Sequence, residues 1–325
     1  MLKPLQIADK VLPINIIQGP LAGVSSAPFR VLMSKYMPPA YACTEMISAK
    51  TLIQQSAAAR QRFVAKDLRE GQVCFQLSGN DPSELGKATR IATDLGADII
   101  DLNCGCPVKK IRQKGAGSRL LTESDKLYKL ITAMKQNTHV PVSIKRRVES
   151  SSEKFNEEIA KIVTEAGLDF LVVHGRHWTE HYETPCRYDD IEFFVQRLKI
   201  PVIGNGDISC LNTLNKMFDT GCAGVMIARA GVGQPWLVQK LVAEYQGESF
   251  TMPSLPERGS LFIEHVAGLV VLLQSEKFAL LHARKLARYY ARGMTGKMEF
   301  CDKVNACQNM CELSSLSARY FCHNS

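Results

Sequence analysis

The sequence predicts an α/β fold in which a (β/α)8 TIM barrel is followed by a small C-terminal helical domain. Between residues 1 and 245, eight short runs of apolar and β-branched residues alternate with stretches of helical pattern. Such alternation is typical of parallel strands joined by helices. From residue 246 onward the strand-like runs stop and only helical patterns follow. We therefore expect a barrel domain at 1–245 and a helical domain at 246–325.

The eight predicted strands are short and apolar, as buried parallel strands are, and turn residues bound them. They are expected at 14–18, 41–44, 73–76, 99–103, 142–145, 170–174, 202–205 and 224–227.

Three of the intervening helices carry clear boundary signals. The first is predicted at 82–95, where Asp81 is the expected N-cap, Pro82 occupies the first turn and Gly96 ends the helix. The others are predicted at 155–166 and 211–219, and a glycine ends each of them. An open doubly wound sheet is the alternative fold. It would need a glycine-rich dinucleotide turn after the first strand, and residues 19–23 do not match that pattern.

The C-terminal region begins with a predicted linker at 246–256, which contains one glycine and two prolines. Helices are expected at 261–274 and 279–292. Within the second, Arg284, Arg288 and Arg292 recur every four residues and so share one face. Such a basic stripe suits a phosphate backbone as well as it suits a solvated helix surface.

The composition excludes several classes of protein. No apolar run is long enough to span a bilayer, and the N-terminus lacks the apolar core of a signal peptide, so we expect a cytoplasmic protein without a membrane anchor. Most of the 11 cysteines should then be reduced thiols. Cys307 and Cys311 fall four apart on a predicted helix, and the C-terminal cysteines lack the short paired spacing of zinc sites. We therefore predict no metal, and the sequence shows no sign of an obligate protein partner.

The net charge of +8 is unevenly distributed along the chain. Lys109, Lys110, Arg112, Lys114 and Arg119 follow the fourth strand without an intervening acid, and residues 145–147 are all basic. This clustering favours a polyanion such as nucleic acid over the alternative of a solvated surface.

The loops after the seventh and eighth strands have the composition of a phosphate site. In a (β/α)8 barrel these loops commonly bind a phosphate group. Here Gly206, Gly231 and Gly233 allow the backbone to approach a ligand, and Arg229 offers a forked cation. Asn205 and Asp207 suit a chain of hydroxyls. The sequence therefore indicates a ligand with a phosphate and a polyol.

Other polar side chains stand at the ends of four further strands. Lys145 and His174 are cationic or ionisable, and Gln76 and Asn103 carry amides. Together they suit a planar heterocycle such as a flavin. The alternatives are a Schiff-base lysine and a histidine satisfied by backbone groups. Cys106 lies on the turn after the fourth strand and is a candidate for chemistry.

The motifs of the chain resemble those of the tRNA-dihydrouridine synthases, in particular their bacterial B-like branch. The most specific is Asp-Leu-Asn-Cys-Gly-Cys-Pro at 101–107. The other matching segments occur in the family's order, at 19–24, 44–46, 75–79, 114–121, 174–176, 204–207, 226–230 and 234–236.

This resemblance implies an FMN-binding barrel and a helical tRNA-binding domain. It implies that NADPH or NADH reduces FMN, that hydride passes from flavin N5 to uracil C6, and that Cys106 protonates C5. Uracil and tRNA would contact Asn103, Arg176, Lys109, Lys110, Arg112, Arg284 and Arg288. The residues expected to hold FMN are Pro20, Leu21, Ala22, Gln76, Lys145, His174, Asn205, Gly206, Asp207, Ala228 and Arg229.

The chain departs from the family pattern at a few positions. Leu21 stands where methionine is usual, a volume-conserving change that we expect to be tolerated. Ala228 replaces a common glycine, and 146–150 differs from the usual run after the lysine. Two other functions stay open at this stage. One is a flavoenzyme acting on a free pyrimidine, as dihydroorotate dehydrogenases do, and the other is a tRNA-binding module without redox activity.

Overall fold

The computed structural model describes residues 1–148 and 153–323. The chain opens with an antiparallel hairpin of β1 (Leu5–Ile7) and β2 (Lys10–Leu12). The sequence gives no local signal for this hairpin, because its strands are three residues long and its turn, at Ala8 and Asp9, contains no glycine or proline.

All eight predicted strands are present, and they close into a parallel barrel. Its Cα partners include Gln18 with Ala42, and Val225 with Ile16. The strand Ala42–Cys43 pairs with Ile16–Gln18 on one side and with Val73–Ser78 on the other, and this closes the barrel. One further short strand, Ile47–Ser48, pairs only with the end of the strand Val73–Ser78. The strands are β3 (Ile16–Gln18), β4 (Ala42–Cys43), β5 (Ile47–Ser48), β6 (Val73–Ser78), β7 (Ile99–Cys104), β8 (Val142–Val148), β9 (Phe170–His177), β10 (Val202–Asn205) and β11 (Gly224–Ile227).

Helices connect the strands on the outside of the barrel. They are α1 (Ala27–Ser34), α2 (Ala49–Gln54), α3 (Ala57–Val64), α4 (Pro82–Asp94), α5 (Lys109–Gln113), α6 (Ser124–Lys135), α7 (Glu153–Glu165), α8 (Asp189–Arg197), α9 (Leu211–Asp219) and α10 (Leu237–Gln246). The predicted boundary signals are confirmed at α4, where the Asp81 side chain accepts a hydrogen bond from the Glu84 amide.

Two apolar clusters stabilise the barrel, one inside it and one around it. The inner cluster packs the hairpin residues Leu5, Ile7 and Leu12 against inward-facing strand residues such as Phe170 and Ile203. Tyr41 and Phe170, near the first residues of their strands, place the hairpin at the N-terminal end of the barrel. The interior is therefore filled at that end, and the C-terminal end is left for a ligand.

The C-terminal region consists of four helices that pack on one another and on the barrel. They are α11 (Leu255–Leu273), α12 (Glu276–Tyr290), α13 (Lys297–Ala306) and α14 (Met310–His323). A Cβ on Gly268 of α11 would lie 2.8 Å from Pro28 of α1, so only a glycine permits this close approach. Among the described helices, none combines the length and the apolarity needed to cross a bilayer.

Three predictions about this region were wrong in detail. The linker is shorter than predicted, because Ser254 and Glu257 form a capping box that starts α11 at Leu255. Helix α12 ends at Tyr290 and not at Arg292, because Gly293 follows with φ +76° and the turn tightens. Cys307 and Cys311 do not share a helix, since Cys307 has extended ψ at the end of α13 and Cys311 belongs to α14.

Candidate functional site

A cavity of about 400 Å³ opens at the C-terminal ends of the barrel strands. Its volume falls within the range of small-molecule sites, ~300–1,000 Å³. The structure brings most of the predicted site residues together here. Those that line the cavity are Pro20, Leu21, Lys145, His174, Arg176, Asn205, Gly206, Asp207, Ala228 and Arg229.

Several residues of the cavity were not predicted from the sequence. Tyr182 comes from the loop between β9 and α8, and the Arg229 guanidinium stacks over its ring at 3.9 Å. No residue pattern marked that loop. Arg292 also lines the cavity, although the sequence indicated it only as part of a basic helix stripe. Four basic side chains and one acidic side chain line the cavity, so it favours an anionic ligand.

Lys145 lies at the inner end of the cavity, beside a buried carboxyl group. Burial lowers the pKa of Lys145 to about 8, and the nearby Asp101 offsets part of that effect. Burial likewise raises the pKa of Asp101 to about 7. Asp101 accepts hydrogen bonds from the Ser143 hydroxyl at 2.6 Å and from the Gln76 amide nitrogen at 2.8 Å. Lys145 is thus a cation whose charge is only partly balanced by the protein.

His174 is held as a neutral imidazole. Its Nε2 lies 3.0 Å from Nη1 of Arg176, and because a guanidinium can only donate, Nε2 is the acceptor and Nδ1 carries the hydrogen. Burial lowers the pKa of His174 well below its ordinary value, and the charges of Lys145, Arg147 and Arg176 lower it further. The histidine can therefore donate a hydrogen bond from Nδ1 without carrying charge.

Arg176 and Asp207 were predicted to contact substrate and cofactor, and the structure pairs them with each other. Arg176 is 1% exposed, and its Nη2 lies 2.5 Å from both carboxylate oxygens of Asp207. Asp207 also accepts a hydrogen bond from the Cys186 amide at 3.0 Å. Both residues line the cavity, but this ion pair already satisfies much of their bonding capacity.

Cys106 lies outside the cavity lining, on the turn that follows β7, as predicted. Asn103 fixes this turn, since its Oδ1 accepts hydrogen bonds from the amides of Gly105 at 3.2 Å and Cys106 at 2.9 Å. The Asn103 side chain in turn donates to Oε1 of Gln76 at 2.9 Å. Gln76 and Asn103 thus link the turn to Asp101 in the barrel interior.

A second set of contacts holds the same turn through the carbonyl of Cys106. The carbonyl oxygen of Cys106 accepts hydrogen bonds from the amide and the hydroxyl of Ser118, each at 3.1 Å. The Ser118 hydroxyl accepts one from Nη1 of Arg112 at 2.7 Å. The Arg112 guanidinium stacks over the ring of Trp178 at 3.5 Å. Arg112, predicted to contact RNA, therefore connects the Cys106 turn to the loop after β9.

The basic run at 145–147 does not form the exposed, phosphate-gripping segment that we expected after the fifth strand. β8 extends to Val148, so Lys145, Arg146 and Arg147 are strand residues that alternate between the two faces. Arg146 is 0% exposed, points away from the cavity and stacks over Phe194 of α8. Arg147 is 4% exposed and donates to the carbonyl of His177 at 2.9 Å. Residues 146–150 are the segment that departs from the family pattern, and 149–150 lie outside the part of the chain that the structure describes.

The remaining predicted residues are exposed around the site. Lys109 and Lys110 lie on α5, directly after the Cys106 turn, and Arg284 and Arg288 lie on the outer face of α12. In the described chain, none of the four forms an ion pair with an acidic side chain. Ala22 lies just outside the cavity, where its carbonyl accepts a hydrogen bond from Nζ of Lys285 at 2.5 Å. Across residues 1–148 and 153–323, no cluster of metal-ligating side chains is present.

The chain is similar to known proteins in both sequence and fold. The sequence is 32% identical to a tRNA-dihydrouridine synthase B of Pseudomonas aeruginosa over 94% of this chain and 92% of that protein. It is 33% identical to the tRNA-dihydrouridine synthase B of Escherichia coli K12 over 98% and 99%. Among solved structures, morphinone reductase in complex with tetrahydroNAD matches with a TM-score of 0.56 and 13% identity, over 78% of this chain and 92% of that one, and thus shares the fold. The sequence model of the dihydrouridine synthase family matches residues 17–322, and the chain belongs to that family.

Proposed function

We propose that this protein reduces the 5,6 double bond of uracil in tRNA, forming 5,6-dihydrouridine, with an FMN bound in the barrel cavity and NADPH or NADH as the reductant. The proposal depends on one observation, which is that a chain of this family has two features together. One is the anion-selective cavity at the mouth of the barrel. The other is the Cys106 turn, which is held in place from both sides.

The residues of the cavity fit FMN by their chemistry. A cation at Lys145 suits the electron-rich edge of a reduced isoalloxazine ring. Asn205 and Asp207 suit the ribityl hydroxyls, and Arg229 with the neighbouring backbone amides suits a phosphate. When bound, FMN supplies the hydride for the uracil ring after accepting one from the nicotinamide.

The side chains of the protein supply binding and proton transfer. The Cys106 thiol, as the general acid, gives a proton to C5 of the uracil, and solvent reprotonates the thiolate that is left. Asn103 positions the turn that carries the thiol, through its bonds to the amides of Gly105 and Cys106. The neutral His174 can donate a hydrogen bond from Nδ1 to a carbonyl oxygen of the flavin or of the uracil.

We further propose that the helices after residue 246 help to bind tRNA. Lys109 and Lys110 are exposed on α5, directly after the Cys106 turn, and Arg284 and Arg288 are exposed on α12. Exposed cations without acidic partners attract a phosphate backbone, and the binding should weaken steeply with salt. A tRNA substrate also suits the proposed cytoplasmic location.

The test is dihydrouridine formation on tRNA that lacks the modification. Wild-type protein with FMN and NADPH should form dihydrouridine, detected by mass spectrometry of the nucleosides. Cys106→Ala should lower the rate of product formation by at least ~100-fold, the contribution of general acid catalysis. It should still bind FMN and still oxidise NADPH, because Cys106 does not line the cavity.

Cys311→Ala is the matched control, since this exposed cysteine lies on α14 and should not affect activity. Free uridine serves as a second substrate in the same assay. Efficient reduction of free uridine, with none of tRNA, would favour a pyrimidine reductase instead. If Cys106→Ala kept wild-type product formation, another group would be the acid.

A further inference from the structure

Arg292 is the residue of the cavity lining that comes from the C-terminal helices. It follows the end of α12, and Gly293 with φ +76° turns the chain immediately after it. Because the helix stops at Tyr290, the Arg292 side chain leaves the basic face that carries Arg284 and Arg288. It lies at the cavity rim, where its Nη2 donates to the carbonyl oxygen of Arg229 at 3.3 Å.

Arg229 and Arg292 form a pair of cations that the protein does not neutralise. Within the described residues, neither forms an ion pair with a carboxylate, and the Arg229 guanidinium makes no hydrogen bond. Their ring contacts occupy the flat faces, with Arg229 over Tyr182 at 3.9 Å and Arg292 over Tyr289 at 5.6 Å. Contacts of this kind leave the N–H groups at the edges available to a ligand.

Arg176, the other arginine of the cavity, differs from these two because its charge is neutralised by the protein. Arg176 is paired with Asp207, so its charge is balanced before any ligand binds. Apart from Lys145 at the inner end of the cavity, the excess positive charge therefore lies where Arg229 and Arg292 meet. Backbone amides of the short 3-10 turn Arg229–Gly231 lie at the same place. Two neighbouring guanidinium groups with backbone donors match a group that carries two negative charges, such as a phosphate monoester.

The position of Arg292 relative to the barrel is fixed by close packing. A Cβ on Gly233, in the loop after β11, would lie 2.6 Å from the carbonyl carbon of Tyr289. Nζ of Lys285 on α12 also donates to the Ala22 carbonyl at 2.5 Å, in the loop after β3. The end of α12 is thus held against two loops of the cavity, and Arg292 can reach a ligand without movement of the helix.

We propose that Arg292 and Arg229 together bind the terminal phosphate of FMN, so that the C-terminal helices complete the cofactor site. This inference deepens the proposed function and rests on it, because FMN is the ligand proposed for the cavity. It assigns to the helical region a second role besides contact with RNA. It also means that a barrel without these helices would bind the flavin ring but hold its phosphate less firmly.

The test compares FMN with riboflavin, which has the same ring and ribityl chain but no phosphate. Dissociation constants are measured from the quenching of flavin fluorescence by the apoprotein, at constant salt. Arg292→Gln should weaken FMN binding by about tenfold, the equivalent of one charge-assisted hydrogen bond. The same variant should bind riboflavin as the wild type does. Arg292→Lys should restore part of the FMN affinity.

Arg319→Gln is the control, because Arg319 is exposed on α14 and does not line the cavity. It should leave both dissociation constants unchanged. Equal losses for FMN and riboflavin in Arg292→Gln would overturn the inference, since they would indicate a change in the fold. Unchanged FMN affinity with weaker tRNA binding would also overturn it and would assign Arg292 to RNA. If the wild type bound neither flavin, the proposed cofactor itself would be wrong.

Discussion

Burial determines the charge state of several single residues, both in the cavity and at the interface between barrel and helices. His174 is kept neutral beside Lys145 and Arg176. His265 of α11 is also buried, and its ring stacks on Phe29 of α1 at 5.8 Å. Its Nδ1 contacts the Tyr290 hydroxyl at 3.2 Å, and Nε2 has no hydrogen-bond partner among the described residues. A proton on this ring would have no acidic group to pair with it.

His265 should therefore make the protein sensitive to acid. Burial lowers the pKa of His265 to about 3, whereas an unfolded histidine has a pKa of ~6.5. The folded state then binds fewer protons, so the free energy of unfolding is constant above pH ~6.5 and falls as the pH drops below it. Between pH 7.5 and pH 5, His265 should account for a loss of about 2 kcal/mol.

The measurement is urea denaturation of the wild type and of His265→Gln at pH 7.5 and pH 5. The variant should lose about 2 kcal/mol less than the wild type over this interval. His139→Gln, on an exposed histidine, controls for the substitution itself. If His265→Gln kept the full acid sensitivity, protonation of another group would explain it.

The positions of single residues could be predicted from the sequence where they end a strand. Their contacts could not be predicted where the contacting residue is distant in sequence. Lys145, His174 and Asn205 end parallel strands, and strand ends of one barrel meet at one face. The pairing of Arg176 with Asp207 joins residues 31 apart, and no local pattern indicates it. Arg146 and Arg147 were misassigned for a related reason. A run of basic residues reads as exposed, and only the register of β8 shows that it is buried.

At the scale of elements, the loop after β9 is tied to the Cys106 turn by the contact between Trp178 and Arg112. Trp178→Ala should remove that contact and loosen the turn through Arg112 and Ser118. The rate of dihydrouridine formation should fall about fivefold, which corresponds to a cation–π contact of ~1 kcal/mol. Reduction of the bound flavin by NADPH without tRNA should keep its wild-type rate, because that step does not use Cys106.

The two rates are measured separately, by single-turnover product formation and by bleaching of flavin absorbance. Trp178→Phe should retain most of the activity, since phenylalanine also offers an aromatic face to Arg112. An equal decrease in both rates would contradict a role at the Cys106 turn. It would indicate instead that the loop after β9 supports the cofactor site.

Elements were predictable where a local signal marks their ends. The strands and α4 have such signals, and most of their predicted bounds hold within about two residues, whereas β8 and β9 each run three residues further than predicted. The hairpin of β1 and β2 was missed because its turn lacks glycine and proline. Other helix ends had no such signal. At Cys307 the chain leaves α13 in an extended conformation, and Asn309 then caps α14 by accepting a hydrogen bond from the Glu312 amide.

At the scale of the whole molecule, the barrel and the C-terminal helices both contribute residues to the cavity lining, and they approach each other closely at Gly233. Gly233→Ala should destabilise their packing, because the added Cβ would meet Tyr289 backbone atoms at 2.6–2.7 Å. We expect this clash to lower the free energy of unfolding by at least ~2 kcal/mol, in addition to the strain of placing alanine at a positive φ. Limited proteolysis should then cleave the segment between α10 and α11 faster than in the wild type.

Gly247→Ala provides a matched control within the same chain. Gly247 has φ +76° and Gly233 has φ +73°, so alanine meets the same backbone strain, ~1 kcal/mol, at both positions. A Cβ on Gly247 would have no atom within 4 Å, so only strain acts there. Equal destabilisation by the two substitutions would show that contact at Gly233 contributes little.

The hairpin at the opposite end of the barrel has a kinetic consequence. Its apolar side chains fill that end together with the inward-facing strand residues. For the flavin proposed in the cavity, this means that the nicotinamide and the uridine would reach the ring from the C-terminal end alone. They would then exclude each other, so that catalysis would divide into two half-reactions that alternate in time. The oxidised dinucleotide would have to leave before the nucleic acid could dock productively, and an excess of either ligand should slow the half-reaction of the other.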